Sequence, residues 1–182
     1  MNTTPKAVLL SGARGSGKSN LCLHLAQELK GVGGIVCPAM FDAAGEKVGF
    51  TGLCLQSGES WELGVVLPGA EDATATGTRE DCSDTTGRGE PGESLRGARK
   101  EVRHRIGKYL LREAGVQKSI DCIRASLERP HGVTIIDEIG PLEIDHGGGF
   151  APVLELLGEA GDLLIVVRAE LVENVAALVQ RH

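Results

Sequence analysis

The run Gly12-Ala13-Arg14-Gly15-Ser16-Gly17-Lys18-Ser19 sets one glycine five places ahead of a Gly-Lys-Ser triplet. This spacing, G-x-x-x-x-G-K-[ST], lets a backbone wrap a polyphosphate. Glycines adopt conformations closed to other residues and allow main-chain N–H groups to approach an anion closely. In such a loop a lysine at 18 reaches the β and γ phosphates and a serine hydroxyl at 19 ligates magnesium. The following helix adds its positive end. The nucleotide-binding set is therefore Gly12, Ala13, Arg14, Gly15, Ser16, Gly17, Lys18, Ser19 and Asn20, with Mg2+ as cofactor. A second pair of residues supplies what the loop lacks. Asp137 follows the apolar run Val133-Thr134-Ile135-Ile136, where an acid at the end of a buried strand can hold the magnesium with Ser19. Glu138 comes next, in position to orient and deprotonate a water on the γ-phosphate. The catalytic assignments are Glu138 and Lys18, and the metal assignments Ser19 and Asp137.

These residues need elements to carry them. Ala7 to Ser11 reads as a buried strand entering the loop, and Leu21, Leu25 and Leu29 form a helical stripe after it that stops at Gly31. Gly34 to Ala39 reads as a second strand, and Lys47 to Gln56 with Trp61 to Leu67 as an antiparallel hairpin. Order resumes at Ile106 to Arg112, and Val116 to Glu128 is an amphipathic helix. Val133 to Ile136 is a buried strand, Phe150 to Ala160 a helix, Leu163 to Val167 a third buried strand and Ala169 to Gln180 a last helix. Apolar strands alternating with helices imply an α/β fold, a mostly parallel sheet flanked by helices with a small β-hairpin elaboration. Residues 1–182 form a single domain in this reading. Residues 69–100 interrupt it, with twelve charges, six glycines and Leu95 as the one large aliphatic side chain. Such a stretch cannot build a core and reads as a flexible or disordered insertion or a mobile lid, with Arg79, Arg88, Arg96 and Arg99 in solvent.

Composition narrows the function classes. Lys+Arg 19 against Asp+Glu 25 gives a net charge of -6, which disfavours a general nucleic-acid or anionic-membrane surface. Five aromatics, Phe41, Phe50, Trp61, Tyr109 and Phe150, are too few for single-strand stacking platforms. Trp61 and Tyr109 read as packed side chains, with a base pocket as the alternative. Five cysteines without a C-x-x-C pair, and five scattered histidines, suggest neither a disulfide framework nor a zinc site. No apolar run approaches roughly 18 residues and Met1 to Lys6 lacks a basic leader, so the expectation is a cytoplasmic protein that does not span a membrane.

Beyond the loop, Asp137-Glu138-Ile139-Gly140-Pro141-Leu142-Glu143 resembles the D-E-I-G-x-x-E block of the small P-loop nucleoside triphosphatases typified by the thermophile NTPase and the cancer-related nucleoside triphosphatase. Gly49-Phe50 ahead of a turn at Gly58, and Ile106-Gly107-Lys108-Tyr109 against the family's V-G-x-Y segment, extend the similarity over most of the chain except 69–100. The resemblance implies a RecA-like P-loop NTPase sheet of the additional-strand, catalytic-glutamate type. It also implies magnesium-dependent hydrolysis of ATP, GTP and other nucleoside triphosphates, with roles for Lys18, Ser19, Asp137 and Glu138 matching those above. Two departures stand out: an acidic stretch replaces the family's basic segment after the hairpin, and Pro141 replaces a lysine.

The source of transition-state positive charge is thus open: Arg168, at the end of the Leu163–Val167 strand, could sense the γ-phosphate, and Arg14 in the loop either covers the phosphates or faces water. Glu143 reads as a local hydrogen-bonding or solvated acid, with positioning a loop or assisting the metal as the alternative. The expected partner is a nucleoside triphosphate, with no nucleic acid, no membrane and a protein partner left unidentified. The alternatives are a P-loop small-molecule kinase, against which the adjacent Asp137-Glu138 pair speaks, and a nucleotide-gated accessory or switch protein with slow hydrolysis.

Overall fold

The computed structural model describes residues 6–67, 103–106, 108–129, 132–159 and 161–180. The stretch 69–100, and with it the expected insertion and its arginines, lies outside the described residues. The chain opens with β1 (Ala7–Leu10), the glycine loop and α1 (Lys18–Glu28). Five strands follow, β2 (Gly33–Val36), β3 (Ala39–Phe41), β4 (Lys47–Cys54), β5 (Ser60–Val66) and β6 (Arg103–Ile106), then β7 (Tyr109–Arg112) and α2 (Glu113–Leu127). The last part runs β8 (Val133–Ile139), α3 (Pro141–His146), α4 (Ala151–Leu154), β9 (Asp162–Val167) and α5 (Val172–Val179).

Among the described residues one sheet holds nine strands in the order β1-β9-β8-β2-β4-β5-β7-β6, with β3 paired to β4. β1, β9, β8 and β2 are mutually parallel, and β9 lies between the strand that enters the loop and the strand that ends in the acids. This is the additional-strand arrangement. Side chains alternate cleanly across the parallel half, as a period of two requires. Ile35, Ile136, Leu163, Ile165 and Val167 pack on one face with α2, α4 and α5. Val36, Ile135, Leu164 and Val166 pack on the other with Cys22, Leu25 and Ala26 of α1. Both faces are covered, which is why these strands read as continuous apolar runs.

β2 and β8 meet unusually closely at Gly34, whose φ is +96°. A Cβ there would lie 2.0 Å from the Ile135 carbonyl oxygen, so only glycine permits this approach. The Gly34 N–H donates to Ser126 Oγ of α2 at 2.6 Å, so the strand is also pinned from the helix side.

Several elements depart from expectation for physical reasons. β1 ends the sheet order with a neighbour on one side only, and Val8 is 57% exposed where a buried strand was expected. α1 is turned relative to the anticipated stripe: Leu21 and Leu29 are exposed and Cys22 is its fully buried residue. The expected second strand breaks at Pro38, whose ring removes a ladder donor, and continues as β3 paired to β4. The antiparallel part outgrows a hairpin, since β7 pairs with β5 and β6 with β7. The helix expected over Phe150 to Ala160 is the four-residue α4 and a short 3-10 turn at Leu157–Glu159, while α3 was not anticipated. The last helix begins with a 3-10 turn, Ala169–Leu171, before α5. Among the described residues no helix is long and apolar enough to cross a membrane.

Candidate nucleotide site

Parallel pairing sets the site. Leu10 is level with Val166, and Ile35 with Ile136, so β1, β9, β8 and β2 all end at one rim. Ligand sites in α/β sheets form outside the carboxyl ends of such strands. The glycine loop leaves β1 at this rim. Gly15 and Gly17 have φ of +75° and +86°, and a Cβ at either would meet nothing within 4 Å, so backbone conformation and not crowding demands glycine there. The Ser16 N–H donates to Ala13 O at 3.2 Å, closing the turn. Gly17 then caps α1, so the amides of Lys18, Ser19 and Asn20 open the helix without partners inside it. Lys18 Nζ donates to Gly12 O at 3.0 Å and Ala13 O at 2.8 Å, which holds the ammonium across the loop. Ser11 Oγ, at the foot of the loop, is buried without a hydrogen-bond partner.

The two acids stand across from the loop. The β8–β9 register slips between Ile136 and Ile139, so Asp137 and Glu138 fall in an irregular step of the ladder. Asp137 is 1% exposed, and its Oδ2 accepts the Cys37 N–H from the end of β2 at 2.9 Å. Its carboxylate also hydrogen-bonds the Ser19 side chain and feels the Lys18 charge. The structure thus brings Lys18, Ser19 and Asp137 together. Burial raises the Asp137 carboxyl above its ordinary range, the Cys37 and Ser19 hydrogen bonds oppose this, and Glu138 adds to it. A desolvated carboxylate beside a serine hydroxyl is a hard-oxygen pair that fits a small divalent cation. Among the described residues no group of three or more His, Cys, Asp or Glu could hold a metal ion.

Glu138 is exposed and has φ of +74°, a left-handed conformation that no other described non-glycine residue adopts. Such backbone costs on the order of 1–3 kcal/mol and concentrates at functional sites. Its charge acts on Asp137, Cys37 and Glu143, which locates it among them.

The flanking groups sort as follows. Arg14 donates from Nη2 to the Tyr109 hydroxyl at 2.7 Å. Tyr109 packs edge-on against Phe50, and Lys47 Nζ lies 5.0 Å from the Tyr109 ring centroid and 5.4 Å from that of Phe50. The antiparallel half of the sheet therefore reaches the glycine loop through Arg14. Trp61 instead packs against α2, its Nε1 donating to Ser119 Oγ at 3.1 Å. Arg168 comes to the same rim, with Nε 3.7 Å from where a Gly140 Cβ would stand. Glu143 is the local hydrogen-bonding acid expected of it: Oε2 accepts the Gly140 N–H at 2.9 Å and Oε1 the Phe150 N–H at 3.2 Å. Cys37 was not foreseen, because its role is a main-chain donor set by the β2–β8 register and carries no sequence signal. Tyr109 was foreseen as a packed aromatic, with a base pocket as the alternative, and not as a partner of Arg14.

Glu143 gives the protein a pH signature. Burial raises its carboxyl from 4.5 to about 7, although the backbone N–H groups of Gly140, Phe150 and Glu143 itself favour the charged form. Between those values the folded chain holds a proton that the unfolded chain has lost, so stability falls as pH rises and levels off above about 7. The displacement corresponds to roughly 3 kcal/mol. Asp137 acts in the same direction. Urea midpoints of the ligand-free protein are expected to fall from pH 5 to pH 8, with Glu143→Gln flattening the trend. An unchanged slope in that variant would assign the effect elsewhere.

Among solved structures, the solution structure of a human cancer-related nucleoside triphosphatase is similar to this chain, with a TM-score of 0.56 and 21% identity. The match covers 90% of this chain and 76% of that one. The crystal structure of THEP1 from the hyperthermophile Aquifex aeolicus also has a TM-score of 0.56, at 12% identity, and covers 96% of this chain and 84% of that one. No protein-family model and no curated protein sequence matches the chain. Likeness at these identities establishes the fold, an α/β sheet with helices of the P-loop NTPase kind.

Proposed function

We propose that this chain hydrolyses nucleoside triphosphates, ATP and GTP among them, to diphosphate and phosphate with magnesium. The observation that carries the reading is the convergence of Lys18 and Ser19 on a buried Asp137, with Glu138 beside it in a strained backbone conformation. In this reading the amides of residues 12–20 and the Lys18 ammonium bind the polyphosphate. Ser19 and Asp137 hold the metal, which when bound neutralises charge on the β and γ oxygens. Glu138 accepts a proton from the attacking water through its carboxylate, and its exposure keeps it in reach of solvent. Arg14, steadied by the Tyr109 hydroxyl, supplies further positive charge beside the phosphates. The names of the two similar structures, a nucleoside triphosphatase and THEP1, agree with this reading.

Phosphate release from ATP, GTP, CTP and UTP tests it, with magnesium and no added acceptor. Steady turnover that stops when magnesium is chelated is expected. Turnover that requires an added hydroxyl compound would make the chain a kinase instead.

A further inference from the structure

Away from the phosphate loop, the end of β4 and the middle of α2 face each other across an open cavity of about 280 Å³. Its lining includes Cys54, Cys122, Ser57 and Trp61, with the Lys118–Glu59 ion pair, 2.8 Å, and Asp121. Both thiols are free, and both reach the same acceptor, Gln56 Oε1, at 3.2 Å from Cys54 Sγ and 3.4 Å from Cys122 Sγ. They also hydrogen-bond each other. We propose that Cys54 and Cys122 form a redox-active dithiol, in which a hydroperoxide oxidises Cys54 and Cys122 closes a disulfide.

The two sulfurs sit in unlike surroundings. The tight turn after β4, closed by Gly58 N–H to Cys54 O at 2.9 Å, directs the Gln56 and Ser57 amides and the Ser57 hydroxyl at the Cys54 sulfur. Donors of this kind favour a thiolate. Burial alone would raise the Cys54 thiol, but the hydrogen bonds from Cys122 and the turn bring it below its ordinary value. Cys122 Sγ lies 3.2 Å from Gly34 O, an acceptor that keeps it protonated, and burial pushes its thiol up. Of the charged groups around it, Arg129 opposes that rise and Glu59 adds to it. Cys54 is thus the attacking sulfur and Cys122 the resolving one.

The chemistry closes without further components. The Cys54 thiolate attacks the peroxide O–O bond, forming an S–O bond and releasing the distal oxygen as an alcohol or water. The Cys122 sulfur then displaces the sulfenic oxygen, which leaves as water with the Cys122 proton. Two electrons pass from the thiol pair to the peroxide, and a thiol reductant reverses the step. Both sulfurs lie within 3.4 Å of the one Gln56 Oε1 atom, and closing the disulfide brings them to a bond length of about 2.05 Å. This inference is independent of the hydrolase reading.

The test treats the folded full chain carrying Cys82→Ser, which removes the thiol outside the described residues, with one equivalent of hydrogen peroxide. The intact mass is expected to fall by two hydrogens, with a Cys54–Cys122 peptide in a non-reducing map. Fluorescence of Trp61, the one tryptophan in the chain, reports the change and its reversal by dithiothreitol. In Cys122→Ser the reaction is expected to halt as a Cys54 sulfenic acid trapped by dimedone. If that variant does not fold, the peptide map of the Cys82→Ser chain decides alone. Retention of both thiols, or a disulfide between any other pair, overturns the proposal.

Discussion

Replacing Lys18 with alanine is expected to lower the second-order rate of triphosphate hydrolysis by on the order of 10²–10³. The ammonium is the charge that the loop holds over its own carbonyls, 3.0 Å from Gly12 O and 2.8 Å from Ala13 O, and it also acts on Asp137. Alanine removes it while leaving the glycine backbone that shapes the loop. The folded state should persist, because no buried contact is lost, so a melting curve close to the native one separates a binding defect from unfolding. A fluorescent ATP analogue should show the weakened binding directly. Hydrolysis within threefold of the native rate would remove the assignment of residues 12–19 as a phosphate site.

Glu138→Gln probes a different step. The amide matches the carboxylate in shape and leaves the left-handed backbone at 138 in place, but it cannot take up a proton. Nucleotide affinity should stay within a few fold of native while turnover drops by roughly 10²–10⁴. Removing this charge also relieves a like-charge neighbour of Asp137, so metal binding should not suffer. The pattern to look for is an intact KM with a collapsed kcat. A native rate in this variant would mean that another group readies the water, with the loop assignment untouched.

The parts of the site that were legible in sequence are those encoded within a few residues. The glycine spacing from 12 to 17 prescribes its own backbone, and an apolar run ending in Asp137-Glu138 declares a strand that emerges at its carboxyl end. What escaped depends on neighbours distant in the chain. The Cys37 amide reaches Asp137 because of a pairing register, and Arg14 meets Tyr109 across 95 positions. The stripe on α1 had the right period, but the helix packs on the interior strands through Cys22, Leu25 and Ala26 and leaves Leu21 and Leu29 exposed. The helix α3 was readable in hindsight: Gly140 before Pro141, Glu143 returning to the Gly140 N–H, and Gly147 at φ +63° closing the other end are ordinary start and stop signals. The long helix expected after Phe150 shows the opposite error: Pro152 fits the first turn of α4, but the helix stops at Leu154 and Gly158 falls in a separate 3-10 turn.

The twist at residue 138 also constrains how this chain could be altered. Glycine there would relax the main chain and delete the carboxylate in a single exchange, while any bulkier substitute keeps the discomfort and gains nothing. If Glu138 readies the water as proposed, resilience and reactivity are rivals at one position: a hardier version of this rim is within easy reach, and it would be inert.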